Sequence, residues 1–249
     1  MVASAGGVRA SLMARGAAAV VACGAAGGVT AAAVRQALAL SPAYPVKVIA
    51  TFGAVMVVAL AGLGAHPHPR FGPANVVTTV RAALVALLAA LAGEAVTDRA
   101  ATAAFAVGMM AAACDGLDGR LARRTGLASP FGARFDMETD ALLIMVLSVL
   151  VWQLDKAGPW VLASGLMRYA FVAAGWLWPW LEAPLPRRWR RQAVCVVQVV
   201  TLVVLLLPTV GPRLGAVAAA ASLALLAWSF GVDVAWLWRA RQAAGLSEG

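Results

Sequence analysis

Apolar runs of the length that crosses a bilayer recur along nearly the whole chain, and they dictate its solvent. The clearest lie at residues 46–64, 76–93, 99–114, 138–154, 159–181, 192–208 and 213–238. A hydrocarbon core is spanned by about 20 residues of helix. The chain is 62% hydrophobic and only 12% charged, whereas a soluble domain carries about 25% charged residues. These runs predict an all-α, polytopic transmembrane helical bundle. The net charge of +9 does not point to nucleic acid, because the basic residues are confined to short segments between apolar runs, where membrane proteins place them for topology.

The run at 99–114 is short, and the spacing predicts that its helix continues into the polar segment that starts at Asp115. An Ala- and Gly-rich stretch at 16–40, preceded by Arg9 and Arg15, reads as a retained accessory helix or as a signal peptide; the first is the reading adopted. Basic clusters follow three of the runs: Arg120, Arg123, Arg124 and Arg134; Arg187, Arg188, Arg190 and Arg191; Arg239 and Arg241. Alternating spans put all three on one side, and the positive-inside rule makes that side cytoplasmic. Trp152, Trp160, Trp176, Trp178, Trp180, Trp236 and Trp238 fall near run ends, as an interfacial aromatic belt requires. Cys23, Cys114 and Cys195 lack metal-binding spacing and read as small buried hydrophobes. His66 and His68 alternate with prolines, which favours an extended linker over a metal site.

The chemistry lies in one stretch. It reads Asp115-Gly-Leu-Asp118-Gly119-Arg-Leu-Ala122-Arg123, then Gly132-Ala-Arg-Phe-Asp136-Met-Glu-Thr-Asp140. Asp115 and Asp118 are three apart and Asp136 and Asp140 four apart, so each pair shares a helix face. Thr125-Gly126 and Ser129-Pro130 signal a turn between them. Two helices joined this way bring four carboxylates together. Such a cluster at a membrane boundary is costly unless it is compensated, and hard divalent cations with oxygen ligands compensate it.

This stretch resembles the signature of the CDP-alcohol phosphotransferase family at every specified position: D-x-x-D-G-x-x-A-R, then, after a short spacer, G-x-x-x-D-x-x-x-D. The resemblance implies a six-helix catalytic core with one or two accessory N-terminal helices. The corresponding division is an accessory membrane region at 1–70, a core at 71–241 and a short cytoplasmic tail at 242–249. It implies a membrane transferase that moves a phosphatidyl-type group from a CDP-alcohol, CDP-diacylglycerol being the expected donor, to an acceptor hydroxyl with release of CMP. Two divalent ions, Mg²⁺ or Mn²⁺, are implied as cofactors. Asp115, Asp118, Asp136 and Asp140 are implied as metal ligands, with Asp140 also the catalytic base.

For the donor, the resemblance implies Gly119 and Ala122 as space for the nucleotide, Arg123 as a partner of the diphosphate, and Ser129 and Gly132 as further contacts. Asn75 and Thr78 either hydrogen-bond the donor or cap their helix, with Arg81 snorkelling to the interface. Arg168, inside an apolar run, and the basic pair Arg187 and Arg188 are candidates to receive a phosphate on the acceptor, which points to glycerol 3-phosphate or another polyol phosphate. The same loop arginines also serve topology and anionic lipid. Homodimers are common in the family, and the expected site of action is a bacterial-type inner membrane. The rival readings are a membrane prenyltransferase, an ion-coupled transporter and a non-catalytic scaffold. The first has its Asp motifs on well-separated helices, the second expects two related halves, and the complete motif argues against the third.

Overall fold

The computed structural model describes residues 5–61, 71–125, 127, 129–186 and 189–246, with side chains described for all of these but residues 5–13, 15, 118, 120, 122, 123 and 243–246. The protein is all-α and polytopic. Its helices are α1 (Ala5–Leu38), α2 (Tyr44–Ala61), α3 (Pro73–Ala89), α4 (Asp98–Thr125), α5 (Pro130–Gln153), α6 (Ala163–Leu177), α7 (Trp189–Leu205) and α8 (Pro212–Leu246). Among the described residues, five stretches are long and apolar enough to cross a membrane: Gly16–Leu38, Tyr44–Ala61, Asp98–Leu117, Pro159–Leu177 and Pro212–Gln242. α3 is apolar but shorter. The polar segment after Asp115 is helical, as expected, and α4 runs through it to Thr125. The His66–His68 motif and the Arg187–Arg188 pair lie outside the described residues.

The run at 159–181 differs from expectation. It is not one helix: short 3-10 turns at Pro159–Leu162 and Pro179–Glu182 flank α6. The reason is local. A proline lacks the amide proton that a helix interior needs and biases the preceding residue away from helical geometry, so Pro179 stops α6 at Leu177. The cysteines also differ, since all three are half-buried rather than buried.

The chain divides into two compact units, residues 1–146 and 147–249. In the first, α1, α2 and α4 all pack against α3. α3 starts where Gly72 adopts a positive φ of 81° and Pro73 takes the first helical position; only glycine enters that backbone region without strain. Thr78 and Thr79 fold their hydroxyls back onto the carbonyls of Ala74 and Asn75, at 3.1 and 2.8 Å. That satisfies two polar groups in a buried helix. α4 begins on a cap, the amide of Ala100 donating to the Thr97 hydroxyl at 3.3 Å.

The far end of α3 is held by a polar clasp. The Glu94 carboxylate accepts from Lys47 Nζ at 2.7 Å and from the Ser41 amide and hydroxyl at 2.9 and 2.8 Å. Lys47 also donates to the Ala92 carbonyl at 3.1 Å, and the Tyr44 hydroxyl to that of Leu87 at 2.9 Å. These bonds tie the start of α2 to the end of α3. In the second unit, Arg190 of α7 pairs with Asp233 of α8 at 2.5 Å and donates to the Ser229 carbonyl at 2.9 Å. Trp180 and Trp238 meet edge to face, with Arg241 above both rings.

The clasp has a pH signature. Burial raises the pKa of Glu94, but the bonds from Lys47 and Ser41 and the Lys47 charge outweigh it, so the carboxyl is held below its ordinary value. A depressed carboxylate stabilises the fold above its unfolded pKa, and that contribution is lost as pH falls through the folded pKa. Glu94→Gln should therefore cost about 1–3 kcal/mol at neutral pH. Thermal unfolding in detergent should show the gap to the wild type closing as the pH is lowered into the acid range. A gap that stays constant with pH would remove the ionised clasp.

Candidate metal centre

Three helices of the first unit converge on one cluster of charge. Asp115 comes from α4, three turns before its end, and Asp136 and Asp140 from successive turns near the start of α5. One carboxylate oxygen from each lies within 4.8 Å of the others. The aspartates are roughly a third exposed, at 35%, 36% and 26% of their side chains. Like charges about 4 Å apart repel by roughly 4 kcal/mol at an effective dielectric of about 20, so the cluster needs cations.

One cation is built in. Arg81 of α3 has a fully buried side chain. Its Nη1 lies 2.5 Å from Asp136 Oδ1 and 3.4 Å from Asp115 Oδ1, and its Nη2 donates to Asp140 Oδ1. The expectation that Arg81 snorkels to the interface is thus corrected: the carboxylates offer it a nearer partner than water, and the guanidinium fork fits two of them at once. Among the described side chains, one guanidinium meets these three carboxylates. Hard oxygen donors at this spacing, partly open to solvent, suit a divalent ion such as Mg²⁺ or Mn²⁺. The donor set therefore fits the cofactor that the sequence implied.

The frame around the cluster has local causes. Ser129 caps α5, its hydroxyl accepting from the Gly132 amide at 3.0 Å, and Pro130 follows at the first helical position. Phe131 and Phe135 are buried, and Phe131 sits between Phe71 and Phe135 with ring centroids 6.3 and 6.0 Å away. This aromatic row holds the entry to α3 against the start of α5. Gly132 completes the joint. A Cβ there would lie 2.8 Å from Asn75 Oδ1 and 3.3 Å from Ser129 Oγ, so only glycine lets Asn75 sit this close.

Asn75 and Thr78 are both buried. Asn75 does not cap α3, whose N-cap is Gly72; its amide donates instead to the Phe71 carbonyl. Gly119 lies one turn beyond Asp115 and is half-exposed. Asp118, Ala122 and Arg123 lie on α4, but their side chains are outside those described. Arg168 lies on α6, half-buried, in the second unit.

Sequence reasoning missed two charged residues. Arg81 carried a signal, since Asn75, Thr78 and Arg81 recur every three residues along one helix beside an acidic motif in need of a counter-charge. Asp233 carried another: a carboxylate inside a long apolar run implies a partner, and Arg190 is that partner. The basic cluster at 187–191 is therefore not wholly available to a ligand.

The chain has no significant match among curated proteins or among solved structures. The family model for CDP-alcohol phosphatidyltransferase matches residues 71–232, a span that holds Arg81, the aspartate cluster and the glycine joint. With that match extending over well more than half of its length, the chain belongs to the CDP-alcohol phosphatidyltransferase family.

Proposed function

We propose that this membrane protein transfers a phosphatidyl-type group from CDP-diacylglycerol to the hydroxyl of a phosphorylated polyol, glycerol 3-phosphate being the leading candidate, and releases CMP. The observation that carries the reading is the convergence of Asp115, Asp136 and Asp140 within 4.8 Å at the positions the family signature specifies. In this reading the core is residues 71–241, preceded by an accessory region at 1–70, and the site faces the cytoplasm of a bacterial-type inner membrane.

Asp115, Asp118, Asp136 and Asp140 would hold two divalent ions, Mg²⁺ or Mn²⁺. Bound there, the ions would neutralise the donor diphosphate and the charge that builds on the leaving CMP. The other steps belong to the chain. Asp140 takes the proton of the acceptor hydroxyl as its oxygen bonds to the phosphorus bearing the diacylglycerol, and the bond from that phosphorus to the CMP oxygen breaks. A carboxylate is a weak base, and it suffices because the acceptor is positioned and its developing charge is met electrostatically. Arg123 donates charge-assisted hydrogen bonds to the diphosphate. Gly119 and Ala122 leave room for the nucleotide. Asn75, Thr78, Ser129 and Gly132 form the wall on the α3 and α5 side. For the acceptor phosphate the sequence offers Arg168, Arg187 and Arg188, and their assignment rests on the cost of an unpaired cation in an apolar run and on their charge.

The reading is tested by incubating purified protein with CDP-diacylglycerol and a panel of hydroxyl acceptors while following CMP. Asp115→Asn and Asp136→Asn should each lose CMP release while still inserting in the membrane, and a chelator should abolish wild-type release reversibly. Turnover that persists in excess chelator would sink the metal site. Asp140→Asn should lower kcat by about 10²–10⁴ and keep part of its CDP-lipid binding; wild-type turnover would remove its role as base. Arg168→Ala should raise the acceptor KM with the donor KM unchanged. An unchanged acceptor KM, or preference for an uncharged acceptor, would discard the phosphorylated acceptor without touching the reaction class.

A further inference from the structure

We infer that Arg81 is the resident counter-cation of the aspartate site, and that a divalent ion loads the site in competition with its guanidinium. The inference rests on the reading of the cluster as a metal centre. Among the described side chains, the three carboxylates that could hold an ion, Asp115, Asp136 and Asp140, are all in contact with Arg81: Nη1 lies 3.4 Å from Asp115 and 2.5 Å from Asp136, and Nη2 is bonded to Asp140. One set of oxygens therefore serves two cations.

Arg81 has no ready way to give up that position. Its side chain is fully buried, so it cannot turn to water without repacking. Its helix is fixed at both ends, by Phe71 against Phe131 at the start and by the Tyr44 and Lys47 bonds to Leu87 and Ala92 at the finish. Guanidinium does not lose its proton in proteins, so its positive charge stays beside any ion that arrives.

Two consequences follow, of opposite sign. Without an ion, Arg81 offsets the repulsion among the carboxylates and supports the fold. With an ion, the same charge opposes binding and sets a weaker affinity than the aspartates alone would give. Lysine at this position keeps the charge but not the planar fork that engages separate carboxylates together, so it should fall between arginine and a neutral side chain in both respects.

The test is Mn²⁺ titration of the detergent-solubilised full chain, followed by the electron paramagnetic resonance of free Mn²⁺, beside thermal unfolding in chelator. Arg81→Gln should bind Mn²⁺ about tenfold or more tightly than the wild type. Its unfolding midpoint in chelator should fall, and the rise on adding Mn²⁺ should exceed that of the wild type. Arg81→Lys should bind severalfold more tightly than the wild type, and this variant decides the matter if Arg81→Gln does not fold. Equal or weaker Mn²⁺ binding by the variants, with the wild type binding well above Asp136→Asn, would overturn the competition and leave the metal centre standing. Wild-type binding no better than that of Asp136→Asn would remove the metal centre itself, and the competition with it.

Discussion

The site depends on how three carboxylates at a membrane boundary are kept together. Their mutual repulsion is comparable to the net stability of many domains, so the fold needs positive charge at their centre before any substrate or ion arrives. Arg81 supplies it from a helix that carries none of the carboxylates, and its buried guanidinium touches all three. α3 is thereby a structural partner of the acidic motif as well as a wall beside it. The features that place α3 follow from that need: Gly72 turning into the helix, Phe71 stacked on Phe131, and Gly132 giving up its side chain so that Asn75 can approach.

The same helix has a second anchored end. From Arg81 to the end of α3 at Ala89 is about 12 Å at 1.5 Å per residue, and just beyond that end Glu94, Lys47 and Ser41 join α3 to α2. α1 and α2 precede the segment that the family model covers, yet they pack directly on α3. A helix whose charged group must stay aligned with partners on two other helices tolerates little sliding, and bonds to backbone carbonyls at Leu87 and Ala92 resist sliding in a way that apolar contact alone does not. The N-terminal helices therefore bear on the site through the register of α3.

Much of this was legible in the residues, and the division has physical causes. Apolar run length located the helices, because lipid imposes a minimum span that sequence displays openly. The three- and four-residue spacings put the aspartates on shared faces, because that periodicity is a local property of helices. The partner of a charge is not local. Nothing in the spacing of residues 75–81 says whether Arg81 reaches back to the headgroups or across to α5; that depends on which helix lies alongside. Ser129 shows a similar limit: its place before Pro130 read as a turn signal, and the hydroxyl caps the helix that the proline opens. The stop of the 159–181 run at Pro179 follows from the proline itself, but the apolar composition on both sides of it made the run read as one span.

The burial of Arg81 also gives the cluster a direction. The guanidinium is wholly enclosed, while the carboxylates keep from about a quarter to just over a third of their side chains open. Arg81 thus meets the carboxylates from the protein side, and their open faces turn to solvent. In the proposed function, the three carboxylates oppose the approach of an anionic diphosphate unless cations accompany it. On that reading, cations bound by the carboxylates would make the exposed side attractive to an anionic donor. In the function proposed, the fixed cation keeps the ligands assembled, and exchangeable cations held by the carboxylates would supply the charge neutralisation that the departure of CMP requires.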